Sequence, residues 1–209
     1  MSNNVKSSAK KVDSINDKVR SSSAEQSINR ILDATMEALS RQGLNSLSMT
    51  DVCRIAGVAR GTLYRYFPSK EVLLESLGQR TRQETSLGIT NAAASAASGK
   101  ESLIGIINFL KDFAEVSKAR ATLEIEPLFF MNFLRRHLAY YAEVVTEALD
   151  RFYDEMEEGL GHKVDRLMCS EVVLRLQISY IFIPDNLSSE QLANAVLTTL
   201  NDFVAKEKA

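Results

Sequence analysis

Cysteine, histidine and proline are scarce: the 209 residues hold two Cys, two His and three Pro. Cys53 and Cys169 lie far apart on separate predicted helices, so a disulfide framework is excluded and a reducing, cytoplasmic setting is expected. His137 and His162 have no Cys or acidic neighbours at metal-ligand spacing, so no metal is expected. A phosphate loop and a Gly-rich dinucleotide turn are both missing. Glu155, Glu157 and Glu158 read as an exposed acidic run, not as paired carboxylates. With no nucleophile, base or metal constellation, neither catalysis nor a cofactor is expected. There is no apolar run of the ~18 residues that a membrane span requires. The start of the chain lacks the apolar segment of a secretory signal. Strand patterns and internal repeats are absent too.

What is present is helical periodicity and an uneven charge. The composition is 45% hydrophobic and 25% charged, ordinary for a globular protein. The net charge of −2 argues at first against nucleic acid, but residues 1–85 carry 13 Lys+Arg against 9 Asp+Glu, and residues 86–209 carry 12 against 18. A basic N-terminal part on an acidic body fits a local nucleic-acid footprint. Residues 1–22 form a polar, basic stretch expected to be a disordered tail, either trailing into a DNA groove or simply solvated.

The most informative stretch runs from Ser48 to Glu71. Ser48 is placed to cap a short helix bearing Val52, Ile55 and Ala56, with Asp51 completing a near capping box. Gly57 ends that helix, since glycine takes the left-handed conformation without strain. A second helix follows from about Ala59 to Phe67. A joint this short makes the pair a helix-turn-helix, whose second helix can lie in a DNA major groove. At about 100° per residue, Leu63 and Phe67 face inward, while Gly61, Thr62 and Arg65 face out, flanked by Arg60, Tyr64 and Tyr66. Arg, Thr and Tyr are suited to guanine edges and phosphates, and Gly61 lets the backbone approach closely. Pro68-Ser-Lys-Glu71 opens a further helix with Ser69 as cap. Lys70 in that first turn opposes the helix dipole, so an anion there would account for it better than local stability does.

These residues carry a resemblance. The amphipathic helix Ile28–Gln42 with Gly43 after it, Val52-Cys-Arg-Ile-Ala-Gly-Val58, Gly61-Thr-Leu-Tyr-Arg-Tyr-Phe-Pro-Ser-Lys-Glu71 and Leu73-Leu74 together resemble the DNA-binding domain of the TetR family of transcriptional regulators. The chain departs from the family at Ala59, where Ser or Thr is common as the recognition-helix cap. The resemblance implies DNA contacts at Thr50, Arg60, Gly61, Thr62, Tyr64, Tyr66 and Lys70. Periodicity alone favours Arg65 over Tyr64; the resemblance favours Tyr64. Helical periodicity along the chain gives an all-α fold of about nine helices, and the resemblance implies a DNA-binding domain over 23–77 and a helical ligand-binding and dimerisation domain over 78–209.

In the second part, Ala92–Ser98 is a small-residue stretch closed by Gly99, and helical spacing runs through Leu103, Ile106, Ile107 and Leu110. Pro127 opens a helix with Phe129, Phe130 and Phe133, and another runs from His137 to about Glu158. The last two are Val164–Ile183, stopped by Pro184-Asp-Asn, and Ser189–Ala205. By resemblance these two pair with their copies in a second subunit, with Leu174, Ile178, Ile181, Leu192, Val196 and Thr199 as interface candidates. A two-fold dimer predicts a palindromic operator. Phe109, Phe113, Phe129, Phe130, Phe133, Tyr140, Tyr141 and Tyr180 lie on helices that would line a family-like ligand cavity; a set like this is either core or the wall of a site for an apolar or aromatic effector. Asn108, Asn132, His137 and Gln177 are the candidate polar anchors. The expected function is a homodimeric repressor released from double-stranded DNA by a small-molecule effector. The alternative is a helical ligand-binding or protein-interaction module that does not bind DNA.

Overall fold

The computed structural model describes residues 23–183 and 188–200 in full, and only the helical backbone over 3–22 and 201–206. The expected tail at 1–22 and the Pro184 stop therefore lie outside the fully described residues. Ten helices and no strand occur among the described residues: α1 (Asn3–Ser46), α2 (Met49–Ala56), α3 (Arg60–Tyr66), α4 (Lys70–Ala94), α5 (Gly99–Val116), α6 (Ala119–Ile125), α7 (Pro127–Ala148), α8 (Asp150–Leu160), α9 (Arg166–Phe182) and α10 (Ser189–Lys206). They fall into two compact units, Met1–Leu77 and Gly78–Ala209.

In the first unit the caps lie where local chemistry asks for them. Ser48 is extended, its hydroxyl accepts from the Asp51 amide at 3.1 Å and donates to the Asp51 carboxylate at 2.6 Å. That bond holds the Asp51 carboxyl below its ordinary range. Gly57 is left-handed at φ 63°, and Gly43 breaks α1 at φ 77°, close to where the sequence ends the first helix. Ala59 makes no side-chain cap. Ser69 accepts from the Val72 amide at 3.3 Å, opening α4. The apolar faces converge on a core that includes Ile31, Leu39, Val52, Leu63 and Leu73, all fully buried.

The second unit corrects three expected boundaries. Gly99 opens a helix and does not close one: Ser98 caps α5 by accepting from the Glu101 amide, and the Gly99 amide donates to the Glu155 carboxylate. The helix expected to begin at His137 is continuous with the one that Pro127 opens. Arg135–His137 supplies no cap or breaker, and the interruption comes instead at Leu149, a fully buried residue with φ −98° and ψ 16°. A short α6 is added after Lys118, whose left-handed φ of 57° turns the chain. Ser188 caps α10 reciprocally, accepting from the Gln191 amide and donating its own amide to the Gln191 side chain. Leu103, Ile106, Val145, Leu149, Tyr153, Val173, Ala193 and Leu200 form the centre of the core.

Glu157 departs from the reading of an exposed acidic run. It is 7% exposed, and its carboxylate accepts from Lys163, Arg166 and the Val164 amide, tying α8 to the start of α9. Glu155 caps α5 as described, and only Glu158 stays a plain surface acid.

Candidate functional site

The first candidate surface is α3 with the start of α2. Leu63 and Phe67 are buried, 0% and 4% exposed, and anchor α3 in the core. Arg60, Gly61, Tyr64 and Arg65 are exposed, while Thr62 and Tyr66 are half-buried. The Arg60 guanidinium donates to the exposed Thr50 hydroxyl, so two candidate contacts on different helices are already joined. Tyr64 is 48% exposed, which leaves its ring outside the core. Arg65 is engaged by its neighbour: it donates to the Tyr66 hydroxyl at 2.9 Å and its guanidinium stacks 4.7 Å from that ring. A Cβ added at Gly61 would meet nothing within 4 Å, so nothing inside the unit requires a glycine there.

Two basic residues tie down the helix ends that flank this surface. Lys70 donates to the Leu44 carbonyl beside the Gly43 break, which gives its charge a local partner that the dipole argument did not supply. Ammonium groups carry three donors, so others remain for an anion. Arg30, which sequence reasoning missed, donates to the carbonyls of Ala56 and Gly57 at the helix-turn-helix joint. It closes the end of α2 by satisfying carbonyls that the helix leaves open. No periodicity singles out an arginine on α1, so its role needs the tertiary fold to be seen.

The second candidate site is a cavity of about 110 Å³ inside the second unit, walled by α4, α5, α7 and α9 with the α5–α6 corner at one side. Its surface is almost wholly apolar. Of the aromatic candidates, Phe113, Phe130, Phe133 and Tyr141 line it. Phe109, Phe129, Tyr140 and Tyr180 do not. Phe109 lies against Gly88, where an added Cβ would be 1.9 Å from the ring tip. Tyr140 bonds Ser86 at 3.0 Å, and Arg82 stacks on its ring. Of the polar anchors only Gln177 reaches the wall; Asn108 and Asn132 are exposed. His137 packs on Phe133 at 4.7 Å, with its pKa lowered first by burial and then by Arg82 and Arg136. Thr81, Thr85 and Ile89 also line the wall; their four-residue spacing on α4 was readable but carried no sign of facing a cavity.

Three cavity residues hold buried polar atoms without a hydrogen-bond partner: Ser117 Oγ, the Tyr141 hydroxyl and Gln177 Oε1. Burial pushes the Tyr141 hydroxyl up to about 12, so it stays protonated; Thr85 is its polar neighbour. Elsewhere in the core a buried chain of hydroxyls, Tyr153–Ser170–Thr146, is bonded throughout at 2.7 and 2.9 Å.

The interface candidates divide differently from the expectation. Leu174, Ile181, Leu192 and Val196 are buried within their own chain, and Leu174, Ile178 and Ile181 line the cavity. Thr199 is exposed. The outward apolar residues of α9 are Leu167, Met168 and, just past its end, Ile183, 47%, 46% and 75% exposed.

The tetR family of bacterial regulatory proteins matches residues 31–77. The chain is 31% identical over 138 residues to the HTH-type transcriptional repressor KstR of Mycobacterium tuberculosis, covering 66% of this chain and about half (51%) of that curated relative. It is 24% identical over 183 residues to the fatty acid metabolism regulator protein of Bacillus subtilis, covering 82% and 92% of the two chains. The solved structure of the transcriptional regulator FadR from Bacillus subtilis, in complex with stearoyl-CoA, superposes with a TM-score of 0.58 at 21% identity over 82% of this chain and 96% of that one, a shared fold.

Proposed function

The chain belongs to the tetR family of bacterial regulatory proteins, and from that premise we propose that it is a cytoplasmic homodimeric repressor that binds a palindromic operator through α3 and is released by a small, largely apolar effector. The observation that carries the DNA-binding half is Gly61: an exposed glycine in a short helix, with open space where its side chain would be, beside Arg60 and Tyr64. Nothing within the unit rewards that arrangement, whereas a duplex backbone pressed onto α3 does. Arg60 reads guanine or clamps a phosphate, Thr50, Thr62, Tyr64 and Tyr66 hold phosphates, and Lys70 supplies a charge at the start of α4.

For the dimer we place the partner on the faces of α9 and α10 that the chain leaves open. These carry Met168, Ile183, Asn194, Ala195, Thr198 and Thr199, all exposed. Of the original six candidates only Thr199 belongs to that face; Leu174, Ile181, Leu192 and Val196 hold the helices in their own unit. A two-fold axis there presents two copies of α3 to one duplex, one helical turn or a multiple apart.

The cavity supports the effector half. A ligand shifts DNA affinity only by its differential affinity for the two arrangements of the protein, commonly ~1–3 kcal/mol. Helix α4 contributes Lys70 to the DNA-binding unit and Thr81, Thr85 and Ile89 to the cavity wall, which makes it the proposed lever. Selection of bound sequences from a random duplex library tests the proposal. An enriched palindrome is expected; no enrichment with a folded protein would reject DNA readout by α3 and leave the interaction-module reading.

A further inference from the structure

We propose that the ligand of the α4–α5–α7–α9 cavity is an uncharged, mainly hydrocarbon molecule anchored by a hydroxyl group that donates to Gln177. This inference rests on reading the cavity as the effector site. A charge on the part of the ligand held within the wall is disfavoured first. No Lys, Arg, His, Asp or Glu lines the wall. A carboxylate, phosphate or ammonium buried there would lose its hydration with no counter-charge to replace it.

Gln177 fixes the kind of polar group. Its side chain is 2% exposed, and its Nε2 donates to the Ile107 carbonyl at 3.2 Å. A carbonyl oxygen cannot donate, so exchanging the amide's oxygen and nitrogen would set two acceptors against each other. The orientation is therefore determined, and Oε1 is the atom left without a partner on a residue that lines the cavity. It needs a donor. An ether, ester or ketone only accepts, and would leave Oε1 bare.

The other two polar atoms ask for the complement. The hydroxyls of Ser117 and Tyr141 can each donate to an acceptor; Ser117 Oγ has no partner, and Tyr141 has only Thr85 as its polar neighbour. Burial favours the protonated, donating form of the Tyr141 hydroxyl. A hydroxyl donates and accepts at once, so it answers Oε1 and still accepts from a hydroxyl donor of the wall that it reaches. The remaining wall, including Phe113, Phe130, Phe133 and Leu138, takes the hydrocarbon part. Ser117 stands at the α5–α6 corner, next to the left-handed Lys118.

Three probes of similar length separate the possibilities: octan-1-ol, which donates and accepts; 1-methoxyheptane, which only accepts; and octanoate, which is charged. Binding of each to the full chain is followed by protein NMR shifts and by thermal unfolding. The expected result is octan-1-ol binding at least about tenfold tighter than the ether, with octanoate weaker than both. In Gln177→Met the advantage of the alcohol over the ether falls to about threefold or less. Equal binding of ether and alcohol, preference for octanoate, or an alcohol preference that survives Gln177→Met overturns the inference. Should Gln177→Met not fold, the three-probe ranking on the unaltered chain decides. Binding of all three without preference removes the hydroxyl anchor and leaves the effector site standing. Hydroxyl-selective binding with no effect on DNA affinity does the reverse. Failure of every probe to bind removes both.

Discussion

The Arg60 guanidinium donates to the Thr50 hydroxyl at 2.5 Å, joining the first residue of α3 to the first turn of α2. Both side chains are exposed, and the bond fixes a long, flexible arginine before any DNA arrives. Preorganisation of this kind lowers the ordering cost of binding. Arg60→Ala is expected to leave the fold intact and weaken operator binding about 10–100-fold. Thr50→Val should weaken it less, and the double variant should fall short of the sum by about 0.5 kcal/mol or more, because each change already breaks the same bond. Fluorescence anisotropy with an operator duplex measures all three. Additive losses would mean that the bond does not persist in the complex.

Gly61→Ala separates folding from function. The added methyl meets nothing within 4 Å, and alanine is the better helix former. Thermal stability should therefore hold or rise, by ~0.5–1 kcal/mol at most. Operator affinity should drop by about tenfold or more, since the methyl stands where the duplex must approach. An unchanged affinity would take Gly61 out of the interface.

Much of the first unit was legible because its signals are local. Ser48, Gly57 and Ser69 act within a few residues of themselves, and the inward spacing of Leu63 and Phe67 is a property of one helix. The structural partners of Arg30 and Lys70 were not legible because the Ala56 and Leu44 carbonyls lie 26 residues away in each case. The second unit was legible as helices but not as surfaces. An aromatic at helical spacing looks the same whether it faces a cavity, as Phe113 does, or fills the notch at Gly88, as Phe109 does. Likewise Leu192 and Val196 are apolar enough for either a core or an interface, and only packing assigns them to the core.

Gly99 offers a test of packing in the second unit. A Cβ at that position would lie 2.5 Å from the Phe152 Cα and 2.9 Å from its amide nitrogen, both backbone atoms that cannot swing aside. Gly99→Ala should force α5 and α8 apart and strain the bond from the Gly99 amide to Glu155. A loss of about 1–3 kcal/mol is expected in denaturant unfolding, the usual range for overpacking. A neutral result would show that the α5–α8 contact is looser than these distances.

Glu157 gives the chain a defined acid sensitivity. Its carboxylate accepts from Lys163 at 2.7 Å, from Arg166 Nε at 3.1 Å and from the Val164 amide at 3.2 Å. Arg166 in turn donates to Asp150 and Asp154, each at 2.6 Å, so one arginine gathers three carboxylates at the α8–α9 junction. The bonds from Arg166 and then Lys163 hold the Glu157 carboxyl down to about 2, from an ordinary value of 4.5. A depressed folded value means that the charged form favours the folded state. The contribution is complete well above pH 4.5 and is lost as pH falls through about 2, below which folded and unfolded chains are both protonated. Glu157→Gln keeps the shape and removes the charge. The stability gap between the natural chain and this variant should be flat above that window and shrink on descending through it, as read from denaturant unfolding at a series of pH values. A gap that stays constant down to the acid end would show that Glu157 acts through packing and neutral hydrogen bonds, not through its charge.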